Sequence, residues 1–269
     1  MTTAELALAR PSDPSAVKAF LNVLRRDMVV TGRELPIFLA QVILQPLGLL
    51  FIFGKVLGSL GLTTPQYAHL LFPGIVAMTV TLTGIQSTAL PLVIEFSFSR
   101  EIEDRLLAPL PTWAVALEKM LFASLRALLA AVIMFPVGIW VLGSIPWHAS
   151  ALGFVALVMI LGALAGSAIG LTLGTFVPPN RIQIMFALIL TPLLFTGCSQ
   201  YPWPSLSHLR WFQVVTAFNP MTYASEGMRS ALTPSVPHMR PWICVLGLLA
   251  SVVIFTAIGI RGFLRRAID

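Results

Sequence analysis

The sequence predicts an all-α integral membrane protein with six transmembrane helices. Of its 269 residues, 57% are hydrophobic and only 10% are charged, and the mean hydropathy is +0.88. A water-soluble domain carries about 25% charged residues, so a single soluble core is excluded. The apolar residues also come in blocks of roughly 20, the helix length that crosses about 30 Å of hydrocarbon.

Six apolar blocks are predicted as spans. In chain order they are Leu35–Leu57, Leu70–Ile94, Leu121–Leu142, Ala151–Phe176, Ile182–Cys198 and Trp242–Phe263. The fifth block is the shortest and contains Pro192, which a membrane helix tolerates as a kink when neighbours satisfy the freed carbonyl. The predicted domains are an N-terminal segment with an amphipathic helix (1–34), a transmembrane domain (35–263) and a cytoplasmic tail (264–269).

The distribution of Lys and Arg predicts the orientation of the chain. With the N-terminus inside, twelve of these residues lie on the inner side and four on the outer side. Positive residues near helix ends are retained in the cytoplasm, so both termini are predicted to be cytoplasmic. The net charge of +6 is scattered between apolar blocks, so a lipid membrane is an expected partner and nucleic acid is not.

The segment before the first span has an apolar stripe at helical spacing, with basic side chains on its other side. The stripe consists of Val17, Phe20, Leu21, Leu24 and Met28. Such a helix is too polar to span and lies along the headgroup plane with its basic face toward anionic lipid. We expect an interfacial elbow helix here; the alternative for residues 1–14 is a disordered basic tail.

The densest charge cluster of the chain lies between the second and third spans, from Glu95 to Pro109. Its apolar residues recur every four positions and its charged residues fall on the other faces, which predicts a short amphipathic cytoplasmic helix. This helix either docks into a cytoplasmic partner and transmits a push to the two spans, or merely joins them. Its candidate coupling residues are Phe98, Glu101, Ile102, Asp104, Arg105 and Leu106.

From Ser199 to Arg240, prolines divide the chain into pieces too short to span. The pattern predicts a helix over Leu206–Phe218 and a second helix that starts at Asn219-Pro220, an N-cap followed by a proline at the first helical position. The second helix is predicted to end near Thr233. We expect a re-entrant helical hairpin at the outer face; an ordinary extracellular loop is the alternative.

Pro220, Tyr223, Glu226 and Arg229 are the candidate functional residues of this hairpin. Tyr223 and Arg229 lie six residues apart, about 240° around the helix axis, so they face different surroundings. We expect Tyr223 at the headgroups or against the fifth span. Arg229 is expected to reach either lipid phosphate or Glu226, three residues earlier on the same helix.

The second and fourth spans carry small or polar residues at helical spacing. The hydroxyls and amide of span two either line a translocation path or bond one helix to another; the candidates are Thr79, Thr83, Gln86 and Ser87. In span four, glycine recurs at every fourth position from Gly162 to Gly174, which is typical of a close packing face.

The sequence contains no recognisable catalytic set. The motif GxxxxGK[ST] is absent, and the only Gly-Lys pair, Gly54-Lys55, is followed by Val56 in an apolar run. HExxH, GxSxG and paired membrane aspartates are absent as well. The four histidines are far apart and the two cysteines cannot build a CxxC site. We therefore expect this chain to hold no catalytic site, cofactor or metal of its own.

The segment from Pro220 to Arg229 resembles the signature of ABC-2 type exporter permeases, the family of antibiotic-resistance, nodulation-factor and capsular-polysaccharide exporters. That signature places a proline, an apolar residue or Thr, a His, Arg, Ser or Tyr two positions later, and an Arg or Gln six positions after that. Here it is Pro220-Met221-Thr222-Tyr223 followed by Arg229, just before the last span, where the family also has it. Type I importers instead carry an EAA-type loop ending in I-x-L-P, and only Ala108-Pro-Leu-Pro111 stands in that place.

The resemblance implies a permease subunit without its own ATPase site, in the cytoplasmic (inner) membrane of a prokaryote. It would form a dimer with a second copy or a paralogue, and each half would sit on a separate ATP-binding cassette subunit that holds ATP and Mg. The segment around Glu101 would be the coupling helix. With 17 Phe and only 3 Tyr, the expected cargo is a lipophilic or amphipathic, drug-like small molecule moved outward. The alternatives are export of lipid or lipid-linked polysaccharide, or a non-transporting membrane scaffold.

Energy coupling can be tested at the apolar stripe between spans two and three. Replacing Ile102 and Leu106 with Asp removes the apolar contact, so we expect loss of transport or release of the ATPase from a permease that still inserts. Copurification and a transport assay measure both. Normal association and normal transport would contradict the coupling assignment.

The orientation can be tested with single cysteines at Ser12 and Ser235, in a background that lacks Cys198 and Cys244. A membrane-impermeant thiol reagent added to intact cells is expected to label position 235 and not position 12. Labelling at position 12 alone would reverse the orientation.

Overall fold

The computed structural model describes residues 14–96, 111–145, 149–178 and 181–268. Within these ranges the regular structure is helical, as the sequence predicts, and no strand is present. The helices are α1 (Pro14–Leu49), α2 (Pro65–Ile94), α3 (Thr112–Leu142), α4 (Leu152–Phe176), α5 (Ile182–Thr196), α6 (Arg210–Ala217), α7 (Pro220–Leu232) and α8 (Pro241–Ile268).

Five stretches of the described helices are long and apolar enough to cross a membrane. They are Leu35–Ser59, Tyr67–Ile94, Thr112–Leu142, Ala149–Phe176 and Pro241–Arg266. The fifth predicted span corresponds to α5, which has 15 residues and rises about 22 Å, less than the roughly 30 Å of hydrocarbon. Its apolar part, Phe186–Thr196, is a short apolar helix below the length of a span.

Helix α1 joins two regions that the sequence separates at Leu35. The backbone is one helix of 36 residues, so the amphipathic segment is its N-terminal part and not a separate element. Pro36 removes one backbone donor inside α1 without ending the helix. The helix then continues through a π-helical segment, Leu50–Val56, and a last turn at Leu57–Ser59.

Helix α2 forms the centre of the bundle, and it packs closely on α4 through the predicted small-residue ridge. A Cβ on Gly166 would collide with the backbone carbonyl of Thr81, and one on Gly170 would lie 2.6 Å from the carbonyl oxygen of Ile85. The glycines therefore allow backbone-to-backbone approach that a larger side chain would prevent. Span four is a packing face.

The helix bundle has a buried ion pair at one end and the helical hairpin at the other. At the end called here the loop end, Glu95 follows α2 and forms a buried ion pair with Lys119 of α3. At the opposite end, called the hairpin end, the segment that follows α5 lies beside the start of α2: the Tyr67 hydroxyl donates to the carbonyl of Gln200 at 3.3 Å, and Gly74 contacts the backbone of Ser199.

Candidate functional site

The hairpin residues form two helices, as the sequence predicts. The Asn219 side chain accepts a hydrogen bond from the backbone N–H of Met221 at 2.9 Å, which is the expected N-cap, and Pro220 occupies the first helical position. The first helix is shorter than predicted. It is α6, and a 3-10 turn, Trp203–His208, precedes it because the backbone leaves the helical conformation at Leu209.

Glu226 and Arg229 form an ion pair in the interior of the hairpin end, with both side chains fully buried. The Glu226 carboxylate also accepts from two backbone N–H groups, that of Trp203 at 2.9 Å and that of Met239 at 2.7 Å. Burying two charges is costly unless hydrogen bonds satisfy their remaining atoms. These bonds fix the segments before α6 and before α8 to the same carboxylate.

Polar side chains along one face of α7 satisfy the carbonyls at the end of α5. The last carbonyls of a helix have no partner within that helix. Asn219 donates to Leu193 O at 2.7 Å, Thr222 to Thr196 O at 3.1 Å and Ser225 to Gly197 O at 2.8 Å. Arg229 Nη2 completes the set by donating to Cys198 O at 3.0 Å. Helix α7 therefore acts as the cap of α5.

The structure settles the two alternatives for Arg229. The expected contact with Glu226 is confirmed, whereas the contact with lipid phosphate is wrong because the guanidinium is fully buried. Burial lowers the pKa of Arg229, and the Glu226 carboxylate opposes that shift. Burial also raises the pKa of the nearby Cys198 thiol to about 11, so this thiol is neutral at physiological pH.

Tyr223 faces other surroundings than Arg229, as the helical spacing predicts. It is half-buried, and its hydroxyl donates to the carbonyl of Ala217 at 2.6 Å. Its ring lies against Gly247 of α8, where a Cβ would come within 2.6 Å of the ring. Tyr223 therefore joins α6 to the last span, and its expected position at the headgroups stays a prediction.

A cleft of about 640 Å³ lies between α1, α2 and α5. Gln86 lines it together with Gln45 of α1 and Thr191 of α5. An adjoining small pocket of about 30 Å³ shares Gln45, Leu82 and Gln86 with the cleft and is also lined by Thr79, Thr83 and Gln41. Three of the four path candidates therefore line the cleft or the pocket next to it. Ser87 is half-buried and lines neither part.

Some residues of these sites were missed by the sequence reasoning. Gln41 and Gln45 are amides four residues apart in an otherwise apolar span, a signal that places both on one helix face. Thr222 and Ser225 continue the spacing of three from Asn219, which marks a polar stripe on α7. No group of three or more His, Cys, Asp or Glu side chains that could hold a metal occurs among the described residues.

A family profile described as ABC-2 type transporter matches residues 18–233, which include the cleft, the coupling segment and the hairpin through α7. The chain belongs to the ABC-2 transporter family. The resemblance drawn from Pro220–Arg229 is thereby confirmed. The chain is a transmembrane permease of an ABC transporter.

Curated relatives carry transport-permease names. The chain is 28% identical over 188 residues to the inner membrane transport permease YadH of Escherichia coli K12, covering 66% of this chain and 68% of that protein. It is 27% identical over 222 residues to the putative transport permease ycf38 of Porphyra purpurea, covering 79% and 70%. The corresponding protein of Cyanophora paradoxa is 27% identical over 219 residues, covering 78% and 72%.

The predicted coupling residues lie outside the residues that the structure describes; they are Phe98, Glu101, Ile102, Asp104, Arg105 and Leu106. The chain just before them is anchored. Before them, Phe96 packs edge-to-face on Phe263 of α8 at 5.2 Å between ring centroids, and the Arg266 guanidinium lies 4.8 Å from the Phe96 ring. Arg266 also donates to the carbonyl of Gly174 at the end of α4 at 3.0 Å. Phe96, the last described residue before the gap, thus lies at a junction of α2, α4 and α8.

Arg229→Ala is expected to destabilise the permease strongly, because it leaves the Glu226 carboxylate buried without its cation. Breaking a buried pair in this way costs about 3 to 5 kcal/mol. The melting temperature can be measured with a thiol-reactive fluorophore, since Cys198 and Cys244 are buried free thiols that unfolding exposes.

The matched control is Arg210→Ala, which removes an exposed arginine at the same end and should leave the melting temperature unchanged. The double variant Glu226→Gln with Arg229→Met removes both charges and should recover part of the loss. Equal melting temperatures for Arg229→Ala and Arg210→Ala would contradict the proposed importance of the pair.

Proposed function

We propose that this permease is the membrane subunit of an exporter that moves a lipophilic or amphipathic small molecule outward across the cytoplasmic membrane. The cleft between α1, α2 and α5 carries the proposal. Its walls are largely apolar, with amide and hydroxyl side chains from all three helices, Gln45, Gln86 and Thr191, at separate places. A surface of this kind suits a molecule with an apolar body and a few polar groups.

A second permease copy or a paralogue would complete the path. Helix α5 has an exposed apolar stripe beside the cleft, formed by Ile184, Leu188 and Phe195. Helix α1, on the other side of the cleft, exposes Ile37 and Leu44. These faces contact either lipid or protein, and the cleft is open between them, so a partner that packs there encloses the cargo.

The energy would come from a separate ATP-binding cassette subunit, which holds ATP and Mg. The chain has no P-loop, so ATP binding of that type has to be supplied by a partner. That partner would press on the coupling segment from the cytoplasmic side, with both termini of the permease on that side. A buried ion pair, Glu95–Lys119, joins α2 to α3 at this end, so the push would reach both helices together.

Transport in this scheme alternates between two states of the cleft. ATP-driven closure of the partner subunits moves the coupling segments, and the cleft opens outward past the hairpin. Cargo shifts this equilibrium only through different affinities for the two states, which the polar groups of the cleft supply. Helix α7 fixes the end of α5, so α5 and the hairpin would move as one unit.

The role of the cleft can be tested with substitutions that remove a polar group from the cleft or from the adjoining pocket and keep the shape of the side chain. Gln86→Leu and Thr83→Val are expected to weaken cargo-stimulated ATPase activity of the reconstituted complex roughly 2- to 10-fold, the range for one lost hydrogen bond. The control is Thr88→Val: Thr88 is as buried as Thr83 but faces Gly170 of α4.

The class of cargo can be determined in the same assay by comparing the ATPase stimulation caused by lipophilic drugs with that caused by lipids and lipid-linked saccharides. Stimulation by the saccharide or lipid class alone would replace the proposed cargo. Failure of any ATPase to copurify with the permease would favour a membrane scaffold. Equal effects of Thr83→Val and Thr88→Val, with Gln86→Leu unchanged, would exclude this cleft as the path.

A further inference from the structure

A second, smaller pocket lies at the hairpin end, away from the cleft. It has a volume of about 370 Å³ and is lined by the π-helical segment after α1, the start of α2 and the end of α3. Gly54 allows the first of these to approach the last, because a Cβ there would lie 2.8 Å from Leu142 Cδ2. The next residue, Lys55, lines the pocket together with His69 and Trp140.

Among the residues that the structure describes, no carboxylate is available to Lys55 at the hairpin end. The sequence contains no Asp or Glu between residues 35 and 94, and only Glu226 between residues 119 and 268. Glu226 is fully buried and is already bound to Arg229 and to two backbone N–H groups. Lys55 is exposed and lies four residues before the end of the apolar stretch Leu35–Ser59, so its ammonium can reach the headgroup level and pair with a lipid phosphate there.

An apolar groove of about 920 Å³ continues from the same place along α3 and α4. On α3 it runs from Leu128 to Gly143, about 22 Å at 1.5 Å per residue, and on α4 it runs from Leu152 to Ile160. Ser144 is the single polar side chain in its lining. Gly143 lines both the groove and the Lys55 pocket, so the two meet at the end of α3.

We propose that the pocket and groove together bind one phospholipid with an anionic headgroup. The headgroup phosphate pairs with Lys55 in the pocket, and an acyl chain lies in the groove between α3 and α4. Trp140, which is 78% exposed, has the position of an aromatic residue at the headgroup level. Charge complementarity selects the headgroup, and the length and apolar lining of the groove select the chain. The site is separate from the cleft and does not rest on the proposed function.

The test uses the full chain in nanodiscs with equal amounts of phosphatidylglycerol and phosphatidylcholine, transferred to mild detergent for native mass spectrometry. The wild type should retain one phosphatidylglycerol in preference to phosphatidylcholine. Lys55→Gln should lower that retention about fivefold, the factor for one lysine at an anionic surface. Arg240→Gln, which removes another exposed cation at the hairpin end, should have no effect.

The groove is tested with a matched pair of tryptophan substitutions. Ala156 is exposed and lines the groove, whereas its neighbour Leu157 is exposed outside it. Ala156→Trp fills the groove and should reduce retention as Lys55→Gln does; Leu157→Trp should not. Equal retention of the two lipids by the wild type, or equal behaviour within either matched pair, would overturn the proposal. If Lys55→Gln fails to insert, the wild-type headgroup comparison and the Ala156→Trp pair still decide it.

Discussion

The carbonyl groups at the end of α5 need donors, and the hairpin end is built around supplying them. Side chains at the N-cap and along one face of α7 donate to four carbonyls of this region, those of Leu193, Thr196, Gly197 and Cys198. Cys198 has φ of +50°, a conformation uncommon for residues other than glycine, and its carbonyl is held by Arg229. The same arginine is held by Glu226, which binds the segments before α6 and α8. One buried pair therefore ties four parts of the chain together.

Helix α2 extends this arrangement to the opposite end. Its glycine-mediated packing on α4 leaves no space for a larger side chain, so the two helices are closely matched along their length. At the hairpin end α2 touches the Ser199 backbone through Gly74, and at the loop end Glu95 is paired with Lys119. A permease that works by moving helices needs some helices that move together as a rigid unit. The close packing of α2 on α4 suits these two helices to move in that way.

Sequence patterns predicted the structure correctly where interactions between neighbouring residues determine it. Asn219-Pro220 predicts the start of α7 because an N-cap and a proline act on the adjacent backbone, and the Gly162–Gly174 spacing predicts a packing face because small residues repeat on one side of a helix. The sequence pattern predicted an elbow helix separate from a first span that starts at Leu35, but the backbone forms one continuous helix across this position. Pro36 removes one backbone hydrogen bond, and the helix continues through this defect.

The sequence by itself determined the class of the protein: a helical membrane permease, recognised from apolar blocks and from the motif Pro220–Arg229, with no P-loop of its own. These properties depend on composition and on short-range spacing. Only the tertiary structure decided that Arg229 binds Glu226 and a carbonyl of the α5 end and not lipid, that Tyr223 rests on α8, and that Gln86 shares a cleft with Gln45. In each case the contacting residue comes from a distant part of the chain, or burial determines the surroundings of the side chain. Helical spacing fixes the direction of a side chain around its own axis but leaves open which helix lies in that direction.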